Sequence, residues 1–150
     1  MIPSLKDRPT LDQHPKLQAA YQKAQLLIDA LNAKDIPLET EMSIREEIQK
    51  IDAYTGPEKG LAKVLRKGQR TILAIVRKET GLVSKGFYRT LWMSLGMTVF
   101  GLPLGMAYAI AMNNFGLFAI GLPIGMGIGI AVGSGMDSKA AKDGKQLEWG

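Results

Sequence analysis

The chain has 150 residues, with 19 Lys or Arg, 14 Asp or Glu, one His and no Cys. Without cysteine it can form no disulfide, no thiolate metal site and no lipidated thiol. The formal charge of +5 averages unlike parts: residues 1–56 hold seven Lys/Arg and nine Asp/Glu, 57–89 hold nine and two, 90–136 hold none, and 137–150 hold three of each.

The start, Met1 to Pro9, has no apolar stretch of the kind a cleaved leader needs, so none is expected. Residues 1–86 read as a cytosolic helical domain of about three amphipathic helices. Asp12 is the expected cap of the first, with Pro15 tolerated in its first turn. Leu17, Ala20, Tyr21, Ala24, Leu27, Ile28 and Leu31 then share one face at helical spacing. Asp35-Ile36-Pro37 should end that helix. Ser43-x-x-Glu46 has the form of a capping box opening the second, whose apolar stripe is Ile44, Ile48 and Ile51. The only histidine, His14, falls at the start of the first helix, where a helix-terminal role outweighs a catalytic one.

The third helix is expected over about 57–79, with Pro57 at its first position and Gly81 as its stop. Leu61, Val64, Leu65, Gly68, Ile72, Ile75 and Val76 fall within about 120° of arc. Lys59, Lys63, Arg66, Lys67, Arg70, Arg77 and Lys78 occupy the opposite side. Two readings stay open. The apolar stripe can pack on the other helices and leave a solvated charged face. Alternatively, the basic side can lie on anionic headgroups, where each cation adds about 1 kcal/mol. Nucleic-acid binding is not expected, because no aromatic interleaving, Gly-rich clamp or zinc spacing accompanies the charges.

Residues 90–136 are 47 positions without Asp, Glu, Lys, Arg or His. A membrane helix needs about 20 apolar residues, so this length suits two spans. Asn113-Asn114 divides it into about 90–112 and 115–136. The expected domains are therefore 1–86, a transmembrane hairpin over 87–136 and a cytosolic tail over 137–150. Arg70, Arg77, Lys78, Lys85 and Arg89 precede the first span, Lys139, Lys142 and Lys145 follow the second, and the turn is uncharged. The excess of cations on one side predicts that both termini lie in the cytoplasm, in a plasma (inner) membrane.

The uncharged stretch repeats itself. Residues 101–112 read GLPLGMAYAIAM and residues 121–132 read GLPIGMGIGIAV. Gly121, Gly125, Gly129 and Gly133 form a four-residue stripe on the second span, and Gly101 and Gly105, followed by Ala109, a shorter one on the first. Small residues at this spacing let membrane helices approach closely. Folding the chain back about residue 113 sets Gly101 level with Gly125 and Gly105 with Gly121. The same register turns Met97 toward Gly129 and Met93 toward Gly133. Pro103 and Pro123 come to one depth, where each deprives a preceding carbonyl of its partner. A structural kink is the first reading, and an ion or substrate site made from the freed carbonyls the second.

No nucleophile–base pair, phosphate loop or metal-ligand spacing is present, so neither an enzyme nor a cofactor is expected. The spans lack the carboxylate or basic group that proton-carrying helices use. The segment GLPIGMGIGIAVGSGMDSKAAKDGKQL, residues 121–147, resembles small bacterial glycine-zipper proteins with two membrane spans, of the kind found in the Bacteroidota. The resemblance implies a fold and no agreed activity. The hairpin is also similar to the rotor-ring proteolipids of ATP synthases, but without their intramembrane carboxylate it does not carry over their ion transport. The expected function is that of a non-enzymatic packing, scaffold or accessory subunit of the membrane. It would bind lipid and either itself or a membrane-protein partner. The alternative is a homo-oligomeric pore.

Overall fold

The computed structural model describes residues 1–6, 8 and 14–149, and the side chains of all of these except Glu58 and Lys59. The cap expected at Asp12 lies outside the described residues. Among the described residues the fold is all-α apart from one two-residue ladder: three amphipathic helices precede two long apolar ones. It divides into two compact units, one of residues 1–84 with 147–150 and one of 85–146.

In the first unit, α1 (Pro15–Asn32), α2 (Leu38–Asp52) and α3 (Glu58–Thr80) form a bundle. Each buries the stripe that its 3.6-residue period dictates. Leu27, Leu31, Ile44, Leu65 and Val76 are fully enclosed, with Leu17, Ile28, Ile48, Ile51, Leu61 and Ile72 beside them. Pro15 takes the first turn of α1, with His14 as the residue before it, and Leu17 N and Gln18 N donate to the His14 carbonyl.

Helix α2 begins earlier than the capping box predicts. Pro37, extended at φ −54° and ψ 143°, precedes Leu38, and Glu39 and Glu41 fill the first turn. Acidic residues at that end oppose the positive end of the helix dipole. Ser43 is inside the helix, its hydroxyl donating back to the Glu39 carbonyl at 3.2 Å. Pro57 likewise stands just before α3 rather than at its first position, and Gly81 closes α3 at φ 71°. Gly68 lies against α2: a Cβ there would lie 2.5 Å from Ile51 Cδ1.

Residues 1–6 and Arg8 are tied to the bundle. Ile2 and Leu5 are buried in the bundle. Asn32 holds the Ile2 backbone through both its N–H (2.8 Å) and its carbonyl (3.0 Å). The Arg8 guanidinium donates to the carbonyls of Ile51, Asp52 and Tyr54, which satisfies the open C-terminal end of α2. The chain returns to this unit at its far end. Val83–Ser84 (β1) pairs with Gln146–Leu147 (β2), Leu147 is fully buried, and Trp149 Nε1 donates to Ser84 Oγ at 3.2 Å.

The second unit is a hairpin of two antiparallel helical arms. The first arm runs through α4 (Phe87–Gly96), a π-helical turn (Met97–Gly101) and α5 (Leu102–Ala111). The second arm is a 3-10 turn (Phe115–Leu117) leading into α6 (Phe118–Lys142). Asn113, at φ 48°, and Asn114, whose side chain accepts from Gly116 N, make the reversal. Helix α6 passes through Pro123 without interruption and runs on beyond Met136 to Lys142.

Candidate functional site

Phe87–Ala111 and Phe115–Lys142 are both long and apolar enough to cross a membrane. Their packing is inverted relative to a water-soluble core. In the most apolar 18-residue stretch of each, only 22% and 17% is buried. The buried positions are Gly96, Gly101, Gly105 and Ala109 on the first arm and Gly121, Gly125, Gly129, Gly133 and, near its end, Ala140 on the second. Leu95, Val99, Phe100, Leu102, Met106 and Ile110 face outward, as do Ile120, Ile124, Ile128 and Val132.

Contact between the arms is backbone to backbone. A Cβ on Gly121 would lie 2.3 Å from both Gly101 O and Gly105 N. On Gly125 it would lie 2.4 Å from both Gly96 O and Gly101 N. On Gly105 it would meet Phe118 O at 2.3 Å. At this separation no side chain fits, so each of these positions requires glycine.

The register departs from the reflection about residue 113 toward the open end of the hairpin. Gly129 faces the backbone of Trp92 and Met93, and Gly133 faces Tyr88 and Arg89. The methionines therefore do not fill glycine hollows in the way expected of Met97 and Met93. Instead Gly96 takes the central place, with its missing Cβ 2.9 Å from Gly129 Cα.

Gly96 and Gly101 are five residues apart, which in a regular α-helix would put them on different faces. The π-helical turn between them has Leu102 N bonded to Met97 O, an i→i−5 step that takes up the extra residue. Gly96, Gly101, Gly105 and Ala109 consequently make one stripe. Pro103 follows this turn directly, at the start of α5. Pro103 and Pro123 are both exposed on the outer faces of the hairpin.

Asp137 closes the base of the hairpin. Its Oδ1 accepts from Tyr88 N at 3.0 Å and its Oδ2 from Arg89 N at 2.9 Å. These are unsatisfied N–H groups in the first turn of α4, so a carboxylate on the second arm caps the first helix and meets its dipole. The sequence shows Asp137 only as the first charge after an uncharged stretch.

The basic residues are arranged separately, within the first unit. Lys63, Arg66, Lys67, Arg70, Arg77 and Lys78 are all exposed along α3, opposite its buried stripe. The Lys59 side chain lies outside the described set. Of the two readings for this helix, the apolar stripe is thus engaged in the bundle. Lys63, Arg66, Lys67 and Arg70 also line a cleft of about 680 Å³, together with Ala62 of the same helix and with His14, Lys16 and Leu17 at the start of α1.

Among the described residues, no group of three His, Cys, Asp or Glu side chains is placed to hold a metal ion. No protein-family model, curated protein or solved structure matches the chain.

Proposed function

We propose that the chain is a non-enzymatic integral membrane protein. Its hairpin sits in the plasma (inner) membrane with both termini in the cytoplasm, and it serves as a packing, scaffold or accessory subunit. The inverted packing of residues 85–146 carries this reading: backbone glycines are inside and large aliphatic side chains outside. Water would penalise such a surface, whereas hydrocarbon accepts it, and the helical form of both arms keeps their backbone hydrogen bonds internal except where a proline, as at Pro123, leaves one bond of the ladder unmade. The cations before Phe87 and after Met136, set against the uncharged turn at Asn113-Asn114, support the orientation.

The glycine stripes of both arms are used inside the hairpin. Association with another copy or with a membrane-protein partner therefore falls to the outward faces. There α6 carries Gly127 and Gly135, and a Cβ added at either would meet only open space. The exposed basic side of α3 gives the helical unit an attraction for anionic headgroups through charge alone.

Alkaline carbonate extraction together with reporter fusions at residue 1, at Asn113 and after residue 150 tests the reading. Retention in the membrane fraction with both ends cytoplasmic is expected. Release into the soluble fraction, or an external terminus, would overturn it. Unitary conductance in liposomes, with a ring-sized assembly on native gels, would favour the pore instead.

A further inference from the structure

The geometry points to a binding site for anions carrying two or more phosphate groups, in the cleft between the start of α1 and the middle of α3. The proposal shares the basic face of α3 with the membrane reading and rests on that reading only if the phosphate is a lipid headgroup.

Four cations on α3, Lys63, Arg66, Lys67 and Arg70, converge with Lys16 of α1 around one volume of about 680 Å³. That is within the range of about 300–1,000 Å³ usual for small-molecule sites. Lys16 is the informative residue, because it comes from a different helix, and a solvated stripe along α3 has no use for it. Among the described residues, none of these five has a carboxylate partner, whereas elsewhere in this unit Arg45, Lys50 and Lys78 each have one.

Five cationic side chains line this space, and an anion bound among them would lower their mutual repulsion. Two guanidinium groups add planar forks suited to bidentate contact with phosphate oxygens. A single phosphate would occupy only a small part of a cleft of this volume. The size of the cleft and its five positive charges therefore favour a ligand with two or more phosphates. Leu17 and Ala62 offer apolar contact to the body of such a ligand. The packing of α1 on α3 beside the cleft is held by buried Leu17 and by Gln69 Nε2 donating to the Ala20 carbonyl at 3.1 Å.

The test uses the full chain in nanodiscs of zwitterionic phosphatidylcholine, titrated calorimetrically with inorganic pyrophosphate. Saturable binding of one pyrophosphate per chain is expected. Lys16→Glu and Arg66→Glu should each weaken it tenfold or more. Lys78→Glu makes the same change of charge on α3 outside the cleft and should alter it less than twofold. All three residues are exposed, and unchanged helical circular dichroism would certify the fold. Absence of saturable binding, or equal weakening by Lys16→Glu and Lys78→Glu, would overturn the site.

Two further discs of equal surface charge, one with cardiolipin and one with phosphatidylglycerol, identify the source. Loss of pyrophosphate affinity specifically in cardiolipin discs assigns the site to a diphosphate headgroup, and retained affinity in both assigns it to a free phosphate compound. A chain that stayed soluble without lipid would defeat the membrane reading, yet the same titration in buffer would still judge the cleft.

Discussion

The two units solve the packing problem with opposite materials. In residues 1–84 large aliphatic side chains fill the interior and charges face out. In residues 85–146 the interior is glycine and the aliphatic side chains face out. The first arrangement gains from removing apolar surface from water. The second cannot, because the same side chains remain exposed to their surroundings. Close backbone approach and dispersion contact between the arms are what it gains. Each unit should therefore be broken by the substitution that the other tolerates.

The largest effect is expected in the first unit. Leu65 is fully buried where α3 meets the bundle. Leu65→Ala should cost about 2–5 kcal/mol, the usual range for a large-to-small change in a core. The matched change in the second unit, Ile128→Ala, removes an outward side chain. Its effect on folding should stay within about 0.5 kcal/mol. Hydrogen exchange resolved by helix in a membrane mimetic would measure both. Comparable losses of protection at the two sites would contradict the inversion.

The reverse substitution should break the hairpin. At Gly125 an added Cβ meets backbone on two sides, Gly96 O and Gly101 N, and backbone cannot rotate away. Gly125→Leu should destabilise the second unit by about 1–3 kcal/mol or more, as overpacking does. Gly135→Leu, with nothing within 4 Å of its Cβ, should be neutral. Equal melting of the two leucine variants in detergent would refute the close approach.

How legible each unit was in the sequence follows the same contrast. The bundle stripes could be read because a regular α-helix repeats Leu17, Ala20, Tyr21, Ala24, Leu27, Ile28 and Leu31 on one face, and all of them are buried except Tyr21, which is half-buried. The glycine stripe of α6 could be read for the same reason. On the first arm the regular period misleads. Gly96 is out of phase with Gly101 until a π-helical turn is allowed, so the reflection about residue 113 placed Met97 where Gly96 belongs. Ser43-x-x-Glu46 has the pattern of a cap, but Pro37 had already started the helix upstream. Contacts with no local pattern were invisible: Arg8 on the end of α2, Trp149 on Ser84, and Lys16 lining one cleft with α3.

The bundle also changes how the basic helix should be tested. An isolated peptide of residues 57–81 would bare Leu61, Leu65, Ile72 and Val76, which the intact protein buries. It would bind membranes through a face that is not available in the whole chain. The full chain, anchored or in discs, is the informative material. There the response to anionic lipid should vanish at high salt, because it comes from charge alone.

Asp137 predicts a smaller effect that links the two arms of the hairpin. Asp137→Ala leaves Tyr88 N and Arg89 N without their carboxylate and should cost about 0.5–2 kcal/mol, as loss of a helix cap does. Asp137→Asn keeps one acceptor oxygen and should fall between the two. Increased amide exchange confined to the first turn of α4 would identify the cap. Unchanged exchange there would show that solvent serves the same groups as well.

The smallest effect separates the units by pH. The Glu41 carboxylate accepts from the N-terminal ammonium and from Arg45, whose Nη2 lies at 2.7 Å. Those hydrogen bonds, and secondarily the attraction of the two positive charges, hold its pKa below the usual carboxylate value. A lowered pKa in the folded state means that the carboxylate stabilises the fold at pH values above its unfolded pKa. That contribution is lost as the pH falls through the folded pKa. Arg45 also donates to the Met1 carbonyl, so protonation of Glu41 should loosen the segment that seats Ile2 and Leu5 against the bundle. Solvent and salt screen the pair, so the change should be slight at neutral pH and visible only on acidification at low ionic strength. Exchange of the Ile2 amide, bonded to Asn32, is the local probe. Its protection relative to a free amide should fall in the wild type as the pH drops through the lowered folded pKa of Glu41, whereas in Glu41→Gln it should be weaker already at pH 7 and lose most of that pH dependence. Equal pH dependence in the two proteins would remove Glu41 as the cause.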